Sequence, residues 1–114
     1  MKKTDAIAAL AALAHSARLD VFRLLVASAS PRDGEGGLTP GLMAEKLGLP
    51  APTLSFHLKE LSRAGLVTYE RRGRSLIYSP CVAALEALAG FLLDDCCKGV
   101  AAQGAPTETK ETCL

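Results

Sequence analysis

Two groups of side chains in this 114-residue chain have types and spacings suited to chemistry. The first is a set of cations. Lys59, Arg63, Arg71, Arg72 and Arg74 lie between residues 59 and 74, against only Glu60 and Glu70. The whole chain carries a formal charge of +1, so this is a local stripe and not a general excess. Such a stripe is enough to attract a polyanion such as nucleic acid. The second group is four thiols, Cys81, Cys96, Cys97 and Cys113, three of them in the last fifth of the chain. In a reducing compartment this usage reads as soft-ion binding or redox sensing before it reads as structural disulfides. No acid–base pair, phosphate-cradling loop or nucleophile arrangement can be placed in one pocket, so the chain is not read as an enzyme.

The length is that of one domain. Aliphatic residues are abundant and aromatic ones are only 4%, which suits a helical core of alanine and leucine. No apolar run is long enough to cross a bilayer. Lys2 and Lys3 followed by an alanine-rich stretch give the start a superficial likeness to a signal peptide. Asp5, His15, Arg18 and Asp20 interrupt it, and it reads as a folded helix of a cytoplasmic protein.

The elements that must carry these groups follow from periodicity. A first helix is expected over 4–14, with Ile7, Leu10 and Leu13 at helical spacing. Ser16 is placed as the N-cap of a second helix over 17–27, striped by Leu19, Phe22, Leu25 and Val26. Residues 28–37 form a polar loop of turn formers. Thr39 and Pro40 have the N-cap and first-turn chemistry that opens a third helix, and Gly48 ends it. A fourth helix runs over 51–64 with Leu54, Leu58 and Leu61 on its buried face, and Gly65 closes it. Residues 66–70 and 75–79 read as two short strands around a turn of Arg71, Arg72, Gly73 and Arg74. Ser79 and Pro80 are placed at the start of a last helix that runs to about Cys97. Residues 1–97 thus make one domain, and 98–114 read as a flexible tail carrying Cys113.

Two short helices joined by a glycine-containing turn are the signature of a helix-turn-helix, and the hairpin after them makes it winged. The predicted fold is mostly α with a small β-hairpin wing, in the order of four helices, two strands and a fifth helix. The segments LAHSARLDVFRLL (13–25), LTPGLMAEKLGLPAPTLSFHLKELSRAGLV (38–67) and ERRGRSLIYS (70–79) resemble the ArsR/SmtB family of winged helix-turn-helix metalloregulatory repressors. The likeness covers roughly residues 5–97.

With Leu54, Leu58 and Leu61 turned to the core, Pro52, Phe56, Lys59 and Arg63 point away, and Thr53, Ser55 and His57 lie on the flanks. The N-terminal half of the second helix of such a motif reaches base edges in the major groove. Thr53, Ser55 and His57 are suited to hydrogen-bond there, and Phe56 to meet a thymine methyl. Lys59 and Arg63 suit phosphates, which set position and not sequence. Arg71, Arg72 and Arg74 at the wing tip suit phosphate or the adjacent minor groove. His15, at a helix junction, is expected to cap or pack.

The last helix contains Val82, Leu85, Leu88, Ala89, Phe91, Leu92 and Leu93, with Glu86 its one charge before Asp94. A helix this apolar needs burial on more than one face, and one small domain offers little. The resemblance implies a homodimer through the first and last helices. A dimer places two reading helices about one DNA turn apart and so predicts an inverted-repeat operator in double-stranded DNA.

The resemblance also points to an inducer. One family site is a Cys-x-Cys pair at the start of the third helix, and here Thr39 and Gly41 fill those slots. Another uses His and carboxylates on the last helix, which here has no His. What matches is the arsenic-responsive type with vicinal C-terminal cysteines, Cys96 and Cys97, and a third thiolate beyond. Thiolates select soft ions such as As(III) and Sb(III). Adjacent helical residues point about 100° apart, so sharing one ion requires a loosened helix end, as Lys98 and Gly99 allow. The third ligand is left among three options. Cys113 lies sixteen residues beyond Cys97, and closing that loop costs entropy only logarithmically in length. Cys81 lies about 22 Å away by helical rise and can join only as Cys81 of the partner subunit. A two-cysteine site would suit a trivalent organoarsenical. Within its own chain, Cys81 reads as a small buried hydrophobe. Two rival functions stay open: a thiol-redox-responsive repressor and a winged-helix protein-interaction module.

Overall fold

The computed structural model describes residues 1–29 and 36–94. Its elements are α1 (Lys3–Leu13), α2 (Ser16–Ala27), α3 (Pro40–Leu47), α4 (Ala51–Arg63), β1 (Val67–Arg72), β2 (Ser75–Pro80) and α5 (Val82–Leu93). This is the expected order of a winged helix-turn-helix. Cys96, Cys97 and Cys113, the expected run of the last helix to Cys97, and the tail 98–114 lie outside the described residues.

One core joins all the helices to the base of the hairpin. Val21, Phe22 and Leu25 of α2, Met43 of α3 and Leu54, Leu58 and Leu61 of α4 are buried in it with Leu66, Val67 and Leu88. The α1 contribution is Ala6, Ala9 and Ala12. Two residues of the stripe expected there point the other way, since Ile7 is 55% exposed and Leu10 43%, while Leu13 packs against the core. Small side chains let α1 approach α2 and α4 closely, and that closeness puts the alanines inside. In α2, likewise, Val21 is buried while Leu19 and Val26 are exposed.

Local chemistry sets the ends. Thr39 Oγ1 accepts from the Leu42 N–H at 3.3 Å, and Pro40 stands in the first turn of α3, where its missing N–H costs nothing. Gly48 ends α3 at φ 66°, a left-handed conformation that glycine adopts without a Cβ penalty. The cap of α2 differs from expectation. His15 and not Ser16 is the N-cap, its Nδ1 accepting from the Ala17 N–H at 3.2 Å. The start of the last helix also differs. Ser79 and Pro80 end β2, and Pro80 sits opposite Val67 at the terminal pair of the hairpin, a place where a missing N–H is tolerated. Cys81 is then the cap of α5, half-buried, with its N–H donated to the Leu66 carbonyl at 2.8 Å.

The hairpin is antiparallel, with Tyr69 opposite Tyr78 and Arg72 opposite Ser75. The two-residue loop between begins at Gly73 with φ 60°, the positive value that primed hairpin turns require. A third segment joins this sheet. Leu38, one residue before the α3 cap, exchanges both backbone bonds with Tyr78 at 3.0 and 2.8 Å. Gly37 makes this approach possible. It sits at φ 105°, and a Cβ there would lie 2.6 Å from the Ile77 side chain.

Candidate nucleic-acid interface

The reading helix of the motif is α4. Its inner face is Leu54, His57, Leu58 and Leu61, all buried. Thr53, Ser55, Phe56, Lys59 and Arg63 are exposed on the remaining surface, Phe56 by 53%. A tight connection through Gly48 and Leu49 sets this helix against α3, with the Leu49 N–H donated to the Ala44 carbonyl at 3.0 Å. Pro50 is its N-cap and brings no side-chain hydrogen bond. The first-turn N–H groups therefore have no side-chain cap, and a helix start of this kind favours an anion such as phosphate.

His57 departs from its expected place. It was expected on a flank, reaching bases, but it is 5% exposed. The spacing explains why, because it stands three residues after Leu54 and four before Leu61, on the core face. Its Nδ1 accepts from the Arg18 Nε–H at 3.3 Å, and its ring lies 4.9 Å from that of His15. Burial first, then His15 and Arg18, hold its pKa below the ordinary imidazole value. His57 therefore supports the helix from behind. Arg18, which the motif did not single out, reaches the outer side of α4, with its guanidinium carbon 5.5 Å from the Phe56 ring centroid. No helical period within α4 announces Arg18, because the contact spans 39 residues of sequence.

The wing presents Arg71, Arg72 and Arg74, all exposed. They are not equivalent. Arg72 donates from both Nε, at 2.7 Å, and Nη2 to the Glu70 carboxylate. Arg63 is paired with Glu60 at 3.4 Å. Among the described residues Lys59, Arg71 and Arg74 have no ion-pair partner, so their charge is the most available to a polyanion. The exposed face of α4 thus combines hydroxyls, one aromatic ring and cations, and the hairpin that follows adds two unpaired guanidinium groups.

No group of three or more His, Cys, Asp or Glu suited to a metal occurs among the described residues. None of the described helices is long and apolar enough to cross a membrane.

The helix-turn-helix domain family matches residues 13–70, half of the chain. No curated protein sequence matches. Solved structures are similar over most of the chain. An ArsR-like transcriptional regulator from Rhodococcus sp. RHA1 superposes with a TM-score of 0.71 at 21% identity, covering 92% of each chain. The homodimeric winged helix-turn-helix DNA-binding domain of Mb0332 from Mycobacterium bovis, a possible ArsR-family regulator, gives 0.61 at 27% identity and covers 81% of each chain. The transcriptional repressor BigR from Xylella fastidiosa gives 0.57 at 26% identity, over 76% of this chain and 83% of its own. The chain belongs to the helix-turn-helix domain family, as a DNA-binding transcriptional regulator of the ArsR/SmtB type and not an enzyme.

Proposed function

We propose that the chain is a cytoplasmic, homodimeric repressor that binds an inverted-repeat operator and is released by a trivalent arsenic or antimony species. The observation that carries the DNA-binding part is the two-sided character of α4, with leucines and His57 inward and hydroxyls, Phe56 and Lys59 outward. Thr53, Ser55 and Phe56 are its base readers, and Lys59, Arg63, Arg71 and Arg74 its phosphate contacts, with Arg72 held back by Glu70. The homodimer is supported by the exposed apolar faces of α1 and α5, which include Ile7, Leu10, Leu92 and Leu93, and by the dimeric state of the Mycobacterium bovis domain.

For the inducer, support comes from the donor chemistry of Cys96, Cys97 and Cys113, three soft thiolates near one another in sequence. Cys81 lies apart from this cluster in sequence. It caps the start of α5, and the twelve residues of that helix span about 18 Å. Binding would have to favour a dimer geometry that fits DNA poorly, since a ligand shifts an equilibrium only by its differential affinity.

Fluorescence anisotropy of an operator duplex under reducing conditions tests this reading, with arsenite titrated against wild type and Cys113→Ser. Release in wild type that is lost in Cys113→Ser is the expected result. Equal release in both would leave Cys96 and Cys97 as the sensing core, alone or with Cys81 of the partner subunit. No release in either would reject arsenite as the inducer and point to a trivalent organoarsenical or to thiol-redox control. A repressor also loses affinity steeply with salt, and a flat salt profile without sequence preference would make the chain a protein-interaction module.

A further inference from the structure

We infer that Arg18 is a positioning residue for DNA recognition, held against α4 by a neutral His57, so that sequence-selective binding is lost when this imidazole takes up a proton. The inference rests on the reading of α4 as the DNA-facing helix. Four side chains meet where α2 crosses α4. Arg18 Nε–H donates to His57 Nδ1 at 3.3 Å, and its guanidinium carbon lies 5.5 Å from the Phe56 centroid. The His57 ring is 5.9 Å from Phe56 and 4.9 Å from His15. His15 in turn spends its own Nδ1 on the Ala17 N–H, one residue before Arg18. One cation is thereby tied both to a buried ring behind the reading helix and to an exposed ring on its outer side.

The protonation states follow from the bonds. An imidazole nitrogen accepts only when it carries no hydrogen. His57 accepts at Nδ1, so with Arg18 bound it keeps its proton on Nε2 and is neutral. An imidazolium has no accepting nitrogen. Protonating His57 removes the acceptor of Arg18 and sets a second cation beside the guanidinium. Burial and the two neighbours lower the His57 pKa, so the assembled state is the one present near neutrality and acid dismantles it. Among the described residues His57 is the one buried polar or charged side chain, and the groups that act on it are His15 and Arg18; α1, α3 and β1 contribute Ala12, Met43 and Val67 to the same core. On α4 itself Glu60 and Arg63 flank Arg18 in a groove against Ala8, Ala11 and Ala12, and they pair with each other. A cation over an aromatic face is attracted to it, so releasing Arg18 frees Phe56, the apolar reader of the helix.

The test uses the full chain and a duplex selected by the wild type from a randomised pool at about pH 7.5, measured against a random-sequence duplex at fixed salt. The ratio of the two affinities is followed from about pH 8 to about pH 4.5, through and below the ordinary imidazole range. In wild type the ratio should fall at least tenfold on acidification, while random-duplex affinity holds or rises. Arg18→Met keeps the aliphatic stem and removes donor and charge. It should show a low ratio at every pH with a melting temperature within a few degrees of wild type. His57→Asn places Oδ1 where Nδ1 stood, an acceptor that does not titrate, and should restore selectivity in acid. Should this variant not fold, Arg18→Met decides alone. A wild-type ratio independent of pH, or an Arg18→Met ratio equal to that of wild type, would overturn the inference. Arg74→Ala separates the two levels. If it weakens binding while Arg18→Met does nothing, the DNA interface stands and the role of Arg18 falls; if wild type selects no duplex, both fall.

Discussion

Helices α1 and α4 are each buried on one side and bare on the other, yet their compositions are reversed. In α4 the leucines go inward and hydroxyls and cations go outward. In α1 alanines go inward, while Ile7 and Leu10 go outward. The outward face of α4 is suited to water or a polyanion. That of α1 is suited to another apolar surface, and α5 shares such an outer face, with Val82, Leu92 and Leu93 exposed although Leu88 goes inward. The two regions show that burial in one chain follows the closeness of helices, not the size of side chains. Large apolar groups left outside then mark where a second body belongs.

Matched truncations put this contrast to the test. Leu58→Ala empties a core site and should lower unfolding free energy by about 2–5 kcal/mol, read from urea denaturation. A loss below about 1 kcal/mol would mean that α4 is not anchored as described. Leu92→Glu should leave the single-chain fold intact and weaken self-association at least about tenfold, a change of about 1.4 kcal/mol, seen by sedimentation. Unchanged sedimentation would remove α5 from the proposed interface. On the polar side, Arg74→Ala should reduce the slope of log affinity against log salt by about 2 for the dimer, about 0.9 for each of the two wings. Arg72→Ala should change it less, because Glu70 already neutralises that charge. Equal slopes for the two variants would mean that the Glu70 pair opens on DNA. Ile7→Ala should alter the stability of the isolated, dissociated chain by less than about 0.5 kcal/mol, the smallest effect of the series.

Much of this architecture is legible in the residues. Thr39 with Pro40, the Gly48 and Gly65 stops, the leucine period of α4 and the Gly73 turn are local signals, and local signals suffice for element order. Faces are harder. Ile7, Leu10 and Leu13 form a regular stripe, but α1 is hydrophobic all round, so periodicity cannot say which side the neighbours take. His57 was within reach, since its spacing from Leu54 and Leu61 places it inside; its polarity suggested the surface. The His15 cap and the Arg18 clasp were out of reach. They depend on α2 crossing α4, a long-range contact that no window of sequence contains. Pro80 misled for a local reason, as a strand end and a helix start both accept a residue without an N–H.

The alanine face of α1 has a consequence for how such chains diverge. At Ala6, Ala9 and Ala12 any larger residue would have to push neighbouring helices apart, so substitution there is constrained from above, the reverse of a leucine core constrained from below. Selection then confines change in α1 to its outer side. Duplicated copies of the gene can drift there without disturbing the fold. At the dimer contact proposed above, change of this kind would alter which copies pair while leaving the reading helix untouched.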